Sequence, residues 1–229
     1  MDLTVALYRF EMFGSTEARP HVLWRHDIDM SPHRAVRLAQ VEASAGVHAT
    51  YFVHCHSPFY SILEGSVRDR LRAILDLGHA IGLHFEASFY GPVGDGRDLE
   101  RHLTRERDLL EDLLGVSIDT FSFHNPERDG VLSFDEDQYA SMTNAYSRSL
   151  RERYLYVSDS NGYWRFGSLR EALTSGASRL HVLTHPEWWT PAPMAPRRRV
   201  ARSIGGRARA VARDYDDALA ALGRRNVGK

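Results

Sequence analysis

The sequence contains very little cysteine and very little lysine. Cys55 is the only cysteine among the 229 residues, which excludes a disulfide framework and fits a reducing, cytoplasmic location. Lys229 is the only lysine, so nearly all of the basic residues are arginine. The formal net charge of −1 gives no electrostatic reason to expect nucleic acid or a membrane surface as a partner.

Long hydrophobic runs and targeting segments are also missing. No stretch approaches the roughly 18 consecutive apolar residues that a membrane span requires. The first residues, MDLTVALYRFEMFG, carry an acid at Asp2 and have neither a basic start nor a long apolar core. They do not resemble a signal peptide, and we therefore expect a cytoplasmic protein, whose oligomeric state the sequence leaves open.

Short β-rich runs alternate with helical patterns along the chain. The predicted strands lie at 21–28, 48–54, 80–85, 117–124, 153–159 and 179–185, with a further candidate at 3–10. We expect residues 127–150 to mix loop with short helix. The alternation predicts an α/β protein with a parallel sheet, and six to seven strands predict an incomplete barrel rather than a full eight-stranded one.

The composition suits one domain with an additional helix at its end. With 43% hydrophobic residues, the chain can bury a full-sized core, so we expect a single domain over 1–229. From Pro191 onward the chain is rich in proline, then in arginine, then helical, which predicts a C-terminal helical extension at about 195–229. Residues 197–199 are three successive arginines, most simply a solvated helix start, with phosphate binding as the alternative.

Polar residues stand at the end of nearly every predicted strand. They are Asp27, Asp29, His54, His56, His84, Glu86, His124, Asp159 and His185. The C-terminal ends of parallel strands meet on one face of an α/β fold, where active sites are built. Because five or six strands that end in His or Asp are hard to ascribe to packing, we predict an active site on this face.

Two aspartates in the stretch RHDID lie two residues apart. Asp27 and Asp29 should therefore point to the same side of the strand. Asp29 also precedes Ser31 and Pro32, a typical helix start, but a capping role for Asp29 leaves Asp27 unexplained. Neighbouring carboxylates repel unless a cation lies between them or one is protonated. We predict that Asp29 binds a metal and that Asp27 acts on the water bound to it.

Three histidines are candidates for the same site. His84 ends a short apolar strand, and its pairing with Asp29 favours a metal ligand over a structural histidine. His124 and His185 each precede a turn that contains proline. Either could bind backbone, bind a metal or transfer a proton, since imidazole does all three near neutral pH.

Other histidines have weaker cases. His54 and His56 flank Cys55 and form a rival metal cluster, but we interpret them as pocket wall. His79 follows Gly78 and is expected to belong to a turn.

Aromatic residues follow the strand ends too. They are Phe89, Tyr90, Tyr163, Trp164, Trp188 and Trp189. Flat apolar faces with polar rims suit sugar rings and other amphipathic small molecules, although ordinary loop packing is the alternative. Four of them are predicted to bind substrate: Tyr90, Trp164, Trp188 and Trp189.

Four segments together have a familiar pattern. They are RHDID at 25–29, RAVRLAQVEASAGVHATYFV at 34–53, GHAIGLH at 78–84 and VLTHPE at 182–187. The chain resembles the polysaccharide deacetylase family, the NodB-type carbohydrate esterases, from about residue 21 to residue 190. The resemblance implies a distorted, incomplete (β/α) barrel and a metal-dependent hydrolase that removes N- or O-acyl groups, mostly from amino sugars. Some relatives cleave other non-peptide C–N bonds.

The resemblance also implies a role for individual residues. Asp27 matches the general base, and Asp29 and His84 match metal ligands. His185 falls where the family keeps the histidine that protonates the leaving amine. Asp159 falls near the segment whose aspartate orients that histidine.

Three positions depart from the family pattern. The family's aspartates are adjacent, whereas Ile28 separates them here. The second metal histidine of the family lies four residues after the first, and Ser88 occupies that position. The motif that normally carries an arginine has His124 instead. We infer that the ligand set is Asp29, His84 and His124, with Glu86 or His54 as substitutes for the third ligand.

The expected reaction is removal of an acyl group, in the first instance acetyl, from the nitrogen of a small sugar or sugar conjugate. One carboxylate and two imidazoles suit a divalent cation, and zinc is the ion we expect. Two alternatives stay open. One is hydrolysis of another non-peptide C–N bond, and the other is a non-catalytic carbohydrate-binding relative.

Overall fold

The structure is a computed structural model and describes residues 8–14, 20–165 and 167–228. Its strands are β1 (Arg9–Glu11), β2 (His21–Ile28), β3 (Thr50–His54), β4 (Ala80–Phe85), β5 (Thr120–Phe123), β6 (Gln138–Tyr139), β7 (Met142–Asn144), β8 (Leu155–Ser158) and β9 (Arg179–Thr184). Its α-helices are α1 (Pro32–Ser44), α2 (Gly65–Asp76), α3 (Gly96–Leu114), α4 (Pro126–Asp129), α5 (Arg148–Arg153), α6 (Leu169–Thr174) and α7 (Pro196–Ala221). Three short 3₁₀ turns lie at Ala87–Tyr90, Ser160–Gly162 and Pro186–Trp188.

The described strands form one curled sheet. Their order is β6-β7-β5-β4-β3-β2-β9-β8, and β1 lies beside the first half of β2. The pairings are parallel except for the short β6–β7 pair. The sheet curves into part of a barrel, so the predicted distorted, incomplete (β/α) barrel is confirmed.

The predicted strands agree with the sheet apart from its short members. The six longer predictions correspond to β2, β3, β4, β5, β8 and β9. The segment 127–150, expected to be loop and short helix, also contains β6 and β7, which have too few residues to show a periodic pattern. The candidate strand at 3–10 overlaps β1 at its last two residues, and residues 3–7 lie outside the described part of the chain.

Strand β2 positions the site because it lies at the centre of the sheet. All eight of its residues are buried between β3 and β9. The chain leaves β2 and enters α1 within a few residues, where the side chain of Ser31 accepts a hydrogen bond from the backbone N–H of Arg34 and Pro32 occupies the first turn. Asp29 is therefore held between a rigid strand and a capped helix.

Helix α7 has a different character from the rest of the fold. It covers most of the predicted C-terminal extension and contains no buried residue. Arg207 in α7 forms an ion pair with Glu64, the residue before α2. None of the described helices combines the length and the apolar character that crossing a membrane would need.

Candidate active site

The carboxyl ends of β2, β4, β5 and β9 bring four predicted residues together. Asp29 follows β2, His84 lies in β4, His124 follows β5 and His185 follows β9. In the parallel register, His84 is the partner of His54 on β3. The backbone N–H of His124 donates to the carbonyl of Phe85 at 2.8 Å, which fixes His124 beside the end of β4.

Asp29 is the centre of this cluster. Its Oδ1 lies 3.2 Å from Nε2 of His84 and 3.6 Å from Nδ1 of His124, and these two nitrogens are 3.2 Å apart. The Oδ1 atom is buried and has no well-aligned hydrogen-bond partner among the described residues. The Oγ of Ser122 lies 2.7 Å from Nδ1 of His84 and so orients the ring with Nε2 toward Asp29. Three potential ligand atoms thus converge on one point.

His54 belongs to the same cluster. Asp29, His54 and His124 each offer a ligand atom, and these atoms lie within 4.8 Å of one another. Burial, followed by the charges of neighbouring histidines, lowers the pKa of His54 to about 4, so the ring is neutral at neutral pH. Nε2 of His54 lies 3.1 Å from Glu86, whose carboxylate also meets Arg128 at 3.2 Å. His54 is therefore a better substitute ligand than Glu86, although the sequence favoured a pocket wall.

The other singled-out histidines lie away from the cluster. Nε2 of His56 is 3.0 Å from Glu106, and its ring stacks on Phe89 with centroids 3.4 Å apart. Nε2 of His79 is 3.0 Å from the carbonyl of Ala39, where it ties a strand to a helix. Both histidines have structural partners.

Ser88, at the position where the family has a histidine, is engaged outside the cluster. Its hydroxyl accepts a hydrogen bond from Arg128 at 2.7 Å and donates one to Glu86 at 3.3 Å. Its backbone N–H donates to the side chain of Asp129. These contacts support the inference that another residue supplies the missing ligand.

Asp27 is held by an arginine that the sequence reasoning missed. Arg25 donates from Nε and Nη2 to the two carboxylate oxygens of Asp27, at 3.2 and 2.7 Å. The guanidinium lies 5.0 Å from the ring centroids of both Phe52 and Tyr146. Although burial alone would raise it, the Arg25 charge holds the pKa of Asp27 below its usual value. Period-2 spacing on a strand was the available signal, since Arg25 and Asp27 share a face.

Asp27 also reaches the centre of the cluster. Its Oδ2 lies 3.5 Å from Nε2 of His84, the same nitrogen that approaches Asp29. Both aspartates are therefore on one side of the strand and within reach of the same point.

His185 and Asp159 form a buried pair beside Asp29. Asp159 Oδ1 lies 2.8 Å from His185 Nδ1 and accepts the His185 backbone N–H at 3.0 Å. The other ring nitrogen, Nε2, lies 3.8 Å from Oδ2 of Asp29. Burial opposes the charged ring, but the bond to Asp159 and the charge of Asp29 raise the pKa of His185 to about 10. The ring is therefore protonated at neutral pH.

Glu187 is a second residue that the sequence reasoning passed over. It is only 2% exposed, and neither carboxylate oxygen has a hydrogen-bond partner among the described residues. Burial, and then the charge of Asp29, raise the pKa of Glu187 to about 8. The side chain is therefore mostly neutral at pH 7. The only sequence signal was its place in VLTHPE, two residues after His185.

The two tryptophans after β9 border the cluster. The ring of Trp188 lies 6.5 Å from that of His185, and Trp189 donates from Nε1 to Oδ2 of Asp159 at 3.2 Å. Trp189 is 40% exposed, so its ring is accessible at the mouth of the site. Their predicted role in substrate binding stays a prediction that this placement supports.

The other two predicted substrate-binding residues have packing contacts. Tyr90 stacks on His102 with centroids 3.9 Å apart and on Phe85 at 5.7 Å. Trp164 is partly buried and packs against the hydrophobic core. A substrate role for either stays a prediction, and the contacts of Tyr90 favour loop packing.

Comparison with known proteins gives structural matches only. No family model and no curated protein match the chain. A carbohydrate esterase of family 4 (CE4) from Streptococcus mutans is 15% identical, with a TM-score of 0.48, over 74% of this chain and 75% of that one. A polysaccharide deacetylase from Bacillus cereus is 12% identical, with a TM-score of 0.47, over 81% and 85% of the two chains. A CE4 pseudoenzyme from Bacillus anthracis is 11% identical, with a TM-score of 0.45.

These structures carry the family name that the sequence motifs predicted. The curled parallel sheet described above agrees with the fold that this resemblance implies. The match to the pseudoenzyme covers 84% of this chain but only 62% of the pseudoenzyme chain. At such identities and TM-scores the matches say nothing about activity, so the case for function depends on the side chains themselves.

Proposed function

We propose that the protein is a metal-dependent hydrolase that removes an acyl group, in the first instance acetyl, from the nitrogen of a small sugar or sugar conjugate. The observation that carries this proposal is the approach of His84 and His124 to the buried Oδ1 of Asp29, at 3.2 and 3.6 Å. Asp27 and His185 lie beside the same point, where a base and an acid are needed. The resemblance to the deacetylase family supplies the substrate class.

The residues fit a divalent cation. Asp29, His84 and His124 would hold it, with His54 as a further or substitute ligand. One carboxylate and two imidazoles form a donor set that catalytic zinc centres use, with room left for water and substrate, and zinc is the ion that we propose. The unsatisfied Oδ1 of Asp29 supports this assignment, since a bare buried carboxylate oxygen is costly. When bound, such an ion polarises an acyl oxygen and lowers the pKa of a coordinated water.

Asp27 is placed to take a proton from the attacking water. Its contact with Arg25 keeps the carboxylate ionised and fixes the orientation of its two oxygens. An ionised, rigidly held carboxylate within reach of the reacting centre meets the geometric requirement for a general base.

His185 is placed to protonate the leaving nitrogen. An amine cannot leave an amide as a bare anion, so a proton must arrive as the C–N bond breaks. His185 carries that proton at neutral pH, because its pKa is raised to about 10 despite its burial. Asp159 holds Nδ1 and leaves Nε2 facing the cluster.

Zinc loading and acetate release test the proposal together. The protein is stripped with a chelator, titrated with zinc and assayed against a panel of N-acetylated sugars and sugar nucleotides. We expect one zinc per chain and acetate release that depends on zinc. His124→Ala should lose both properties, whereas His56→Ala, a histidine at a strand end outside the cluster, should keep both.

Different failures point to different errors. If His124→Ala binds zinc as well as the parent protein does, the ligand set is wrong. A parent protein that takes up no zinc would favour the non-catalytic carbohydrate binder. Zinc uptake with cleavage of another C–N bond, and without acetate release, would favour the alternative hydrolase.

A further inference from the structure

A large groove opens beside the active site. Its volume is about 1050 Å³, and it lies between α1, α2, the Pro186–Trp188 turn and α7. Met30, which follows Asp29, is part of its lining. Glu187 and Trp189, from the segment after His185, line it as well, so chain neighbours of the site residues form part of the groove wall.

Arginine dominates the lining of this groove, which we call the arginine groove. The arginines are Arg34, Arg37, Arg70, Arg199, Arg202, Arg207, Arg209 and Arg213. They come from three different helices, so the cluster is made by the tertiary fold and not by one run of sequence. The acidic residues in the lining are Asp214 and Glu187, and Glu187 is mostly neutral at pH 7.

Most of these guanidinium groups have no carboxylate partner. Of the eight groove arginines, only Arg207 forms an ion pair with a carboxylate in the described part of the chain, and its partner is Glu64. Nε of Arg199 is buried and has no hydrogen-bond partner within the same part of the chain. The groove therefore concentrates uncompensated positive charge in a protein whose net charge is −1.

Burial and the concentration of positive charge together lower the pKa values of neighbouring groups. Burial lowers the pKa of His33, and the charges of Arg70, Arg34 and Arg37 lower it further. Burial also lowers the pKa of Arg34, and the charge of Arg202 adds to the effect. A folded chain that holds like charges together is stabilised by an anion between them.

The arginine run at the start of α7 divides between two environments. Arg197 and Arg198 are exposed and lie outside the groove, which fits a solvated helix start. Arg199 lines the groove. The pair Arg197 and Arg198 thus offers a matched control for arginines that face the groove.

We propose that the arginine groove binds the diphosphate of a substrate in which an acyl sugar is linked to a diphosphate carrier. The acyl sugar then reaches the Asp29 centre while the charged carrier lies between α1 and α7. This inference depends on the proposed deacylation for its sugar end. Guanidinium forks match phosphate oxygens in pairs, which makes arginine the preferred side chain for such groups.

Size and charge spacing favour this ligand over others. Pockets for small ligands typically have volumes of about 300–1,000 Å³, so the groove is larger than a single acyl sugar needs. Several guanidinium groups without a carboxylate partner lie in one groove and match charges that are close together, as in a diphosphate. An acidic polysaccharide spreads one carboxylate over each sugar ring and matches this density less well.

Calorimetric titration with inorganic pyrophosphate tests the groove directly. The double variant Arg34→Gln/Arg202→Gln should weaken binding about 100-fold, with about tenfold from each lost charge-assisted pair. The control Arg197→Gln/Arg198→Gln should stay within about twofold of the parent protein, since distant exposed charges are screened by salt. Thermal unfolding checks that the variants are folded. If the double variant is unfolded, the single variant Arg70→Gln replaces it and should bind pyrophosphate about tenfold more weakly than the parent protein.

Two results would overturn the inference. One is a parent protein that does not bind pyrophosphate, and the other is equal binding by the parent protein and the groove variants. Polygalacturonate that binds the groove without competition from pyrophosphate would also overturn it. Uridine diphosphate and farnesyl diphosphate then identify the carrier, since the tighter of the two indicates a nucleotide or a lipid.

Kinetics separates this inference from the proposed deacylation. The parent protein should release acetate faster from N-acetylglucosamine linked to uridine diphosphate than from the free sugar, and the groove variants should lose that preference. Equal rates on both substrates, without pyrophosphate binding, would reject the groove and leave deacylation standing. Groove-dependent pyrophosphate binding with no acetate released from any substrate would reject deacylation and leave the groove standing.

Discussion

Two clusters of histidine and carboxylate lie on opposite faces of β2. On the helix side, His26 and Glu42 form a buried network, with Nε2 of His26 2.7 Å from Oε1 of Glu42. Thr184 meets the other ring nitrogen at 2.6 Å, while Trp24 and Tyr51 donate to the two oxygens of Glu42 at 2.9 and 2.6 Å. Every polar atom of the His26 ring and the Glu42 carboxylate is occupied.

The cluster around Asp29 uses the same residue types and leaves atoms free. Oδ1 of Asp29 has no well-aligned partner among the described residues, although two histidine nitrogens point toward it. The two clusters contain the same residue types and differ in whether their polar atoms have hydrogen-bond partners. A closed network stabilises a fold, whereas a converging set with an unsatisfied oxygen can accept a ligand.

The largest effect is expected at the unsatisfied carboxylate. Asp29→Ala removes the central ligand, so we expect zinc binding to be lost and acetate release to fall about 10⁴-fold, or roughly 5 kcal/mol of transition-state stabilisation. Zinc titration and acetate assays measure both. The unfolding free energy without metal should change little. A variant that retains zinc would show that the Asp29 cluster is not a metal site of the proposed kind.

The next largest effect is expected in the buried network around Glu42. It should concern only the stability of the protein and not zinc binding. Glu42→Leu leaves His26, Trp24 and Tyr51 without their buried partner, which should cost about 3–5 kcal/mol of unfolding free energy. Urea denaturation gives the stability, and zinc titration of the folded fraction should give an unchanged affinity. Weakened zinc binding would show that the two faces of β2 are coupled.

A smaller effect is expected at the proposed acid. His185→Gln should lower kcat about 100-fold and leave zinc affinity intact, since proton transfer and not ion binding is lost. The pKa of His185 is raised, to about 10, so the acid is present at neutral pH and is lost as pH rises through that value. The pKa of Asp27 is lowered, so the base is present at neutral pH and is lost as pH falls through its depressed value. In the parent protein, kcat should fall as pH rises through about 10. If kcat of His185→Gln still falls in the same way, His185 is not the acid.

The smallest effect is expected at His54. If His54 supports the centre without being an obligatory ligand, His54→Ala should weaken zinc binding only about tenfold, as loss of a supporting partner does. His124→Ala serves as the comparison and should weaken binding far more. Equal losses for the two variants would instead make His54 a full ligand.

Much of the fold and the site could be predicted from sequence. Alternating apolar runs predicted the longer strands, because a buried strand of four or more residues has a recognisable pattern. The order of the strands along the chain then placed Asp29, His84, His124 and His185 at one edge of a parallel sheet. The short strands β6 and β7 were not predicted, since two or three residues carry no periodic signal.

Contacts between distant segments could not be predicted in the same way. The ending of β3 marked His54 as a candidate, but only the register of β3 against β4 brings it within reach of His124. The two unsatisfied oxygens of Glu187 depend on which groups pack around it, and the sequence does not state that.

The sequence by itself determined the six longer strands, the helix start at Ser31 and Pro32, and the polar residues at the strand ends, because these depend on local periodicity and local hydrogen bonding. Only the tertiary structure decided which histidines share an oxygen of Asp29 and that arginines from three helices line one groove. Distances between residues far apart in the chain are set by the curvature of the sheet and the packing of the helices, and no local pattern contains them.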